Sequence, residues 1–154
     1  MGLFDIVKKL AMGATDEENA ANKAKMRAIF NSCVPDGDSY QLIYCHMKNY
    51  TNLVVVEINL HSNFIVGYKE GEVAVIPVDP KLEEYGEPLF FNKANGSVLE
   101  ASWGYCIATN KDASCQFEPI TYEPGITKGA AYSVSIIQSS EEVSAFRNFF
   151  KKGF

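Results

Sequence analysis

The sequence predicts a mainly β protein of the α+β class, with about seven antiparallel strands, an N-terminal helical arm and a C-terminal amphipathic helix. Three observations support this fold class. Between residues 39 and 138, apolar and polar residues alternate in short runs separated by turn residues, which is typical of strands. The two ends of the chain instead repeat apolar residues every three or four positions, which is typical of helices. Aromatic residues form 12% of the chain and favour sheet structure.

Residues 1–32 are predicted to form the arm, as two short helices. The first is only about two to three turns long, so it needs a surface to dock on. Its apolar stripe is a candidate interaction surface, made of Leu3, Phe4, Val7 and Leu10. Thr15 opens the second helix with Glu18 as its capping-box partner. This helix is rich in alanine and is expected to pack lightly on the domain or on a partner.

The turn at Pro35-Asp36-Gly37 marks the change from helical to strand-like periodicity. After it, we predict that residues 49–52 lie between the first two strands. The first four predicted strands are Tyr40–Met47, Leu53–Leu60, Asn63–Tyr68 and Val73–Val78.

The second half of the sheet contains a strong hairpin signal at Asn95-Gly96. It predicts that Leu89–Lys93 pairs with a long strand over Val98–Thr109, which bends at Gly104. The last two predicted strands are Cys115–Tyr122, interrupted by Pro119, and Ala130–Gln138.

The C-terminal helix, residues 140–152, has the clearest local signals in the chain. Ser139 is its predicted N-cap, Glu142 completes a reciprocal capping box, and Gly153 ends the helix. One stripe of the helix is strongly apolar and is predicted to plug the sheet with Val143, Phe146, Phe149 and Phe150.

The composition of the chain argues against several classes of function. The net charge of −5 argues against nucleic-acid binding, which needs a basic surface. The four cysteines contain no Cys-x-x-Cys pair, so neither a zinc site nor another cofactor is expected. Neither His46 nor His61 has a nucleophile or carboxylate at a spacing typical of catalytic motifs. We therefore expect no catalytic residues. No export signal or membrane-spanning run is recognised, which predicts a cytoplasmic protein.

From Ser39 to Phe154, the order of elements resembles the bacterial pleckstrin-homology-like (PH-like) domains. The opening Met-Gly-Leu-Phe-Asp is also similar to the start of some bacterial members. The resemblance implies that residues 33–154 form a partly open barrel whose mouth is closed by the C-terminal helix. This sequence departs from the family in that its only tryptophan, Trp103, lies on a predicted strand instead of the helix. The first hairpin offers only Lys48 as a lysine, so phosphoinositide binding is not expected.

These observations predict a non-catalytic interaction module that binds a protein partner or a second copy of itself. Two alternatives are left open. One is a carrier that holds a small apolar ligand in the barrel, and the other is a peripheral membrane protein attached through its N-terminal amphipathic helix.

Overall fold

The computed structural model describes residues 16–52, 63–79, 81–102, 104–120, 122–123 and 136–154. Within these ranges the chain forms a seven-stranded antiparallel sheet, a two-stranded sheet and two α-helices. The fold is mainly β and of the α+β class, as the sequence predicts. The candidate interaction residues Leu3, Phe4, Val7 and Leu10, and the capping residue Thr15, lie outside the described ranges.

In chain order, the elements are α1 (Asp16–Cys33), β1 (Gln41–Asn52), β2 (Asn63–Lys69), β3 (Glu72–Val78), β4 (Leu89–Asn92), β5 (Val98–Ser102), β6 (Tyr105–Thr109), β7 (Ala113–Pro119), β8 (Tyr122–Glu123), β9 (Ile136–Ile137) and α2 (Ser140–Lys152). Two short 3-10 helices lie at Gly37–Ser39 and Lys93–Asn95. The large sheet has the order β4-β3-β2-β1-β7-β6-β5, and β8 pairs with β9. Of the predicted strand over residues 130–138, only the part from residue 136 onward is described.

β1 is the strand that joins the two halves of the large sheet. Its first half pairs with β2, from Gln41 to His46, and its second half pairs with β7, from Cys45 to Asn52. The register shifts between Met47 and Asn49, so the strand bends as it passes from one partner to the other. The prediction that residues 49–52 lie between two strands is therefore wrong, because these residues pair with β7 and extend β1. The predicted strand over residues 53–60 lies outside the described residues.

The hairpin predicted at Asn95-Gly96 is also wrong. β4 pairs with β3 and β5 pairs with β6, so the two strands stand at opposite ends of the sheet order. Asn92 and Asn95 cap the 3-10 helix between them reciprocally, and Gly96 follows at a φ of 72°. These residue types suit a tight turn, but this turn carries the chain from one edge of the sheet to the other.

Gly104 marks a reversal of the chain and not a bend in one long strand. β5 and β6 form an antiparallel hairpin in which Ser102 lies opposite Tyr105. Gly104 has a φ of 85°, which glycine adopts without steric cost. The predicted single strand over residues 98–109 is thus two strands. Trp103 lies outside the described residues.

α2 packs on one face of the large sheet and contributes rings to its core. Phe146 and Phe150 are fully buried, and their ring centroids lie 5.9 and 5.5 Å from that of Phe117 on β7. Val143 is buried in the same cluster, and Phe149 is partly buried against Tyr68. The predicted role of these four α2 residues as a structural plug stays a prediction, which the Phe146 substitution below tests.

The ends of α2 follow the local signals in the sequence. Ser139 Oγ accepts the Glu142 N–H at 3.0 Å, and the Gly153 N–H donates to the Phe149 carbonyl at 3.0 Å. The Glu142 carboxylate lies 3.4 Å from Lys23 Nζ of α1. An ion pair between the helices therefore replaces the second half of the predicted capping box.

α1 covers the opposite face of β1, β2 and β3. Met26, Ile29 and Phe30 are buried in a second apolar cluster with residues of these strands. Gly67 on β2 makes room for this contact, because a Cβ at that position would lie 2.1 Å from the Phe30 ring. Arg27 fixes the following segment by donating to the Gly37 carbonyl at 2.7 Å. The helix therefore packs more closely than its alanine content suggests.

Candidate functional site

The described residues contain no group of three or more His, Cys, Asp and Glu side chains that could hold a metal ion. His46 Nδ1 lies 3.0 Å from Asn63 Oδ1, in a hydrogen bond between neighbouring strands. His61 lies outside the described residues.

Three of the four cysteines are part of the core. Cys45, Cys106 and Cys115 are fully buried, and this burial raises the pKa of Cys106 to about 12. Burial also raises the pKa of Cys45 and of Cys115. These groups are protonated thiols near neutral pH, so they pack as small apolar side chains and do not act as thiolate nucleophiles.

The interior of the curled sheet is filled with side chains. Phe64, Phe117, Phe146 and Phe150 are fully buried and pack on one another in the cluster beneath α2. An apolar ligand inside the sheet would have to displace these rings. The larger grooves lie at the surface.

One groove of about 580 Å³ lies between α1, α2 and the ends of β1 and β2. Its charged groups already have partners within the protein. Lys23 pairs with Glu142, and Arg27 donates to the carbonyls of Gly37 and Tyr40 at 2.7 and 3.0 Å. These contacts hold α1 in place, and they leave the groove without a charge pattern that specifies a ligand.

The outer edge of β4 is covered in large part by its own turn. Asn95 Nδ2 donates to the Phe90 carbonyl at 2.7 Å, and Asn95 Oδ1 accepts the Asn92 N–H at 3.1 Å. The Asn92 carbonyl accepts the Ser97 N–H at 3.1 Å, and Asn110 Nδ2 lies 3.4 Å from the Phe90 carbonyl. The Phe90 carbonyl and both Asn92 backbone groups are thus occupied, which is a common protection of a sheet edge.

The direction of the backbone groups in β5 follows from the neighbouring hairpin. The Asn110 N–H donates to the Ala113 carbonyl at 2.9 Å and closes the turn between β6 and β7. Backbone groups alternate in direction along antiparallel strands, so Ile107 on β6 directs its groups toward β5. Ile107 lies opposite Glu100, which therefore bonds to β6.

Leu99 and Ala101, on either side of Glu100, direct their N–H and C=O groups away from the sheet. Among the described residues, no backbone or side-chain group bonds to these outward groups. Within the described ranges, the outer edge of β5 is therefore unpaired, whereas that of β4 is largely covered. Val98, at the start of β5, is 56% exposed and lies on the same face of the sheet as Glu100.

A groove of about 520 Å³ runs between this open edge and the C-terminal half of α2. We call it the β5–α2 groove. It is lined by Leu99, Glu100, Ala101, Ser102, Ile107, Phe150 and Lys151. Its lining is mixed, with apolar side chains beside Ser102, one acidic side chain and one basic side chain.

The sequence-predicted site residues lie only partly here. Phe150 lines the groove, while Val143 and Phe146 are buried beneath α2 and Phe149 packs on Tyr68. No residue of β5 was predicted from the sequence to belong to a site. Its five residues, Val-Leu-Glu-Ala-Ser, contain a signal that could have identified an edge strand, since edge strands are commonly short and carry a charge.

Neither of the two described helices has the length and hydropathy needed to cross a bilayer. Comparison of the chain with protein-family models, curated proteins and solved structures finds no match in any of the three. The likeness to PH-like domains therefore rests on the order of elements alone.

Proposed function

We propose that the protein is a non-catalytic interaction module of PH-like fold that binds an extended segment of a partner protein as an added strand along β5. The PH-like assignment is supported by the seven-stranded antiparallel order and by the C-terminal helix packed on the sheet. The partner strand would lie in the β5–α2 groove. Strand addition of this kind uses backbone hydrogen bonds for affinity and alternate side chains for specificity.

The observation that carries the proposal is the difference between the two edges of the sheet. The β4 edge is covered by a turn, whereas β5 has only its short length and the charge of Glu100 to limit unspecific pairing. Here the Asn92 and Asn95 turn covers most of the β4 edge, while the outward groups of Leu99 and Ala101 have no partner in the described part of the chain. An unpaired edge beside a groove with both apolar and charged side chains suits a partner strand that binds reversibly.

The expected affinity is modest. Leu99 and Ala101 each present one donor and one acceptor, and a net hydrogen bond contributes about 0.5–1.5 kcal/mol. These bonds and the burial of one or two apolar side chains give a dissociation constant in roughly the micromolar range or weaker. Such an interaction is transient unless further contacts add to it.

The proposed compartment is the cytoplasm. All four cysteines are free thiols, which is usual where the surroundings are reducing. Fractionation of the native cell, with the full-length chain detected by antibody, tests this assignment.

The Ala101→Pro variant tests strand addition. Proline removes the outward N–H of residue 101 but leaves the bonds between Glu100 and β6, so the hairpin is expected to fold. The Ala101→Val variant is the matched control, because valine is similar in volume to proline and keeps the backbone N–H.

Proteins would be captured from native lysate on the full-length chain and on both variants. We expect Ala101→Pro to lose partners that wild type and Ala101→Val retain, with the circular dichroism spectrum unchanged. If Ala101→Pro captures the same proteins in the same amounts, strand addition at β5 is wrong.

A further inference from the structure

Building on the proposed function, we infer that the partner strand carries a basic residue between two apolar residues, and that its basic side chain lies opposite Glu100. The inference concerns the chemistry of the partner at the β5–α2 groove. Three features of the groove support it: the direction of side chains along β5, the pattern of hydrogen bonds along that strand, and the charges of Glu100 and Lys151.

Side chains on β5 alternate between the two faces of the sheet. Leu99 is buried and Ala101 is partly buried on the inner face, whereas Glu100 is exposed on the outer face. An added strand continues this alternation, so its residues opposite Leu99 and Ala101 point inward over Phe150. Apolar residues suit these two inward positions. The residue between them points outward, beside Glu100.

The alternating hydrogen-bond pattern of antiparallel strands brings Glu100 close to the partner residue opposite it. Because Glu100 bonds to Ile107 on β6, it occupies a non-hydrogen-bonded position toward the free edge. In such a position the paired Cα atoms lie about 4.5 Å apart, against about 5.5 Å in a hydrogen-bonded pair. The side chains are correspondingly close, and opposite charges stabilise such a cross-strand pair.

The charge of Glu100 is not matched by its neighbours across the sheet. The row that contains Glu100 continues through Ile107 on β6 and Gln116 on β7, and both are uncharged. Lys151 lines the groove from α2, so it disfavours a cation at the adjoining inward positions. The surface therefore selects a cation at the outward position and apolar groups beside it.

The same arrangement disfavours full pairing with a second copy. Antiparallel pairing of β5 with its symmetry mate over all five residues would place Glu100 opposite Glu100, and like charges in this position destabilise a pair. A net charge of −5 on each chain adds to the repulsion. A partner strand of different sequence and basic character avoids both costs.

Three labelled nine-residue peptides of alternating threonine and valine, with Lys, Gln or Glu at the central outward position, test the inference on the full-length protein. We expect the wild type to bind them in the order Lys, Gln, Glu, with about a fivefold difference in dissociation constant between the first and the last. The Glu100→Lys variant should reverse the order, and Glu100→Gln should remove it. Fluorescence anisotropy measures the binding of each peptide to the wild type, to both Glu100 variants and to Ala101→Pro, which makes twelve combinations.

The outcomes separate the two proposals. If all three peptides bind the wild type equally, or if Glu100→Lys leaves the order unchanged, the inference about the basic residue is wrong while strand addition stands. If no peptide binds the wild type, or if Ala101→Pro binds as well as wild type does, the proposed function itself is wrong.

Discussion

Phe146 is the residue at the centre of the ring cluster beneath α2. It is fully buried, and its ring centroid lies 4.8 Å from that of Phe150 and 5.3 Å from that of Tyr68. We expect Phe146→Ala to lower the free energy of unfolding by about 3–5 kcal/mol, because it removes apolar contacts and leaves a cavity. Urea denaturation monitored by circular dichroism measures this change.

The matched control is Phe149→Ala, in the same turn of the helix. Phe149 is only partly buried, so its truncation should cost clearly less than that of Phe146. If the two variants lose the same small amount of stability, α2 does not close the sheet in the way described here.

The buried thiols give the protein a stability that depends on pH. Burial raises the pKa of Cys45, Cys106 and Cys115 in the folded state, whereas a thiol in the unfolded chain ionises near pH 8.5. Above that pH the unfolded state releases protons that the folded state retains, so the free energy of unfolding falls as pH rises. Below about pH 8.5 the contribution of these thiols to stability is fully present.

We expect a decrease of about 1.4 kcal/mol per pH unit for a fully buried thiol such as Cys115 once the unfolded chain is ionised. Urea titrations between about pH 7.5 and pH 10 measure this slope. In Cys115→Ala the slope should be smaller by the share of one thiol. An identical slope in the variant and the wild type would show that the pKa of Cys115 is the same in the folded and unfolded states.

At the scale of elements, α2 depends on local capping. Ser139→Ala removes the acceptor of the Glu142 N–H and should cost about 1 kcal/mol of stability. Ser144→Ala is the control, because Ser144 is exposed in the middle of the helix. A cost for Ser139→Ala no larger than for Ser144→Ala would contradict the assignment of the N-cap.

The difference between local signals and long-range pairing explains which elements the sequence could predict. α2 was predicted with its observed bounds, because the signals of Ser139 and Gly153 act within one turn of the helix. β1 was predicted too short, since the extension to Asn52 depends on pairing with β7, which is distant in sequence. The turn residues around Asn95 were recognised, but the strands they connect were misassigned, because residue preferences do not specify partners.

The candidate site was missed for a related reason. Whether a strand lies at an edge depends on the order of strands in the whole sheet. β5 lies at the edge because β7 pairs with β1 and β6 pairs with β7. The hydrophobic pattern indicates which face of β5 is buried, and it contains no information on which backbone groups lack a partner.

At the scale of the whole molecule, the closed β4 edge restricts how copies can associate. With two open edges, β4 of one copy could pair with β5 of the next and form an open-ended assembly. Asn95→Ala removes the side-chain groups that cover Phe90 and Asn92. We expect this variant to form larger species at high concentration, as measured by light scattering.

Lys93→Ala is the matched control, since Lys93 is an exposed residue of the same 3-10 helix. It should leave the mass distribution unchanged. If Asn95→Ala also scatters like the wild type, the turn does not protect the β4 edge.

The measurement that tests the open β5 edge most directly is amide hydrogen exchange by NMR on the full-length protein. The N–H groups of Leu99 and Ala101 should exchange quickly, while that of Glu100, which bonds to β6, should be protected. Addition of the lysine-centred peptide should slow the exchange of Leu99 and Ala101 specifically. If both amides are already protected in the free protein, the edge of β5 is occupied and the proposed function is wrong.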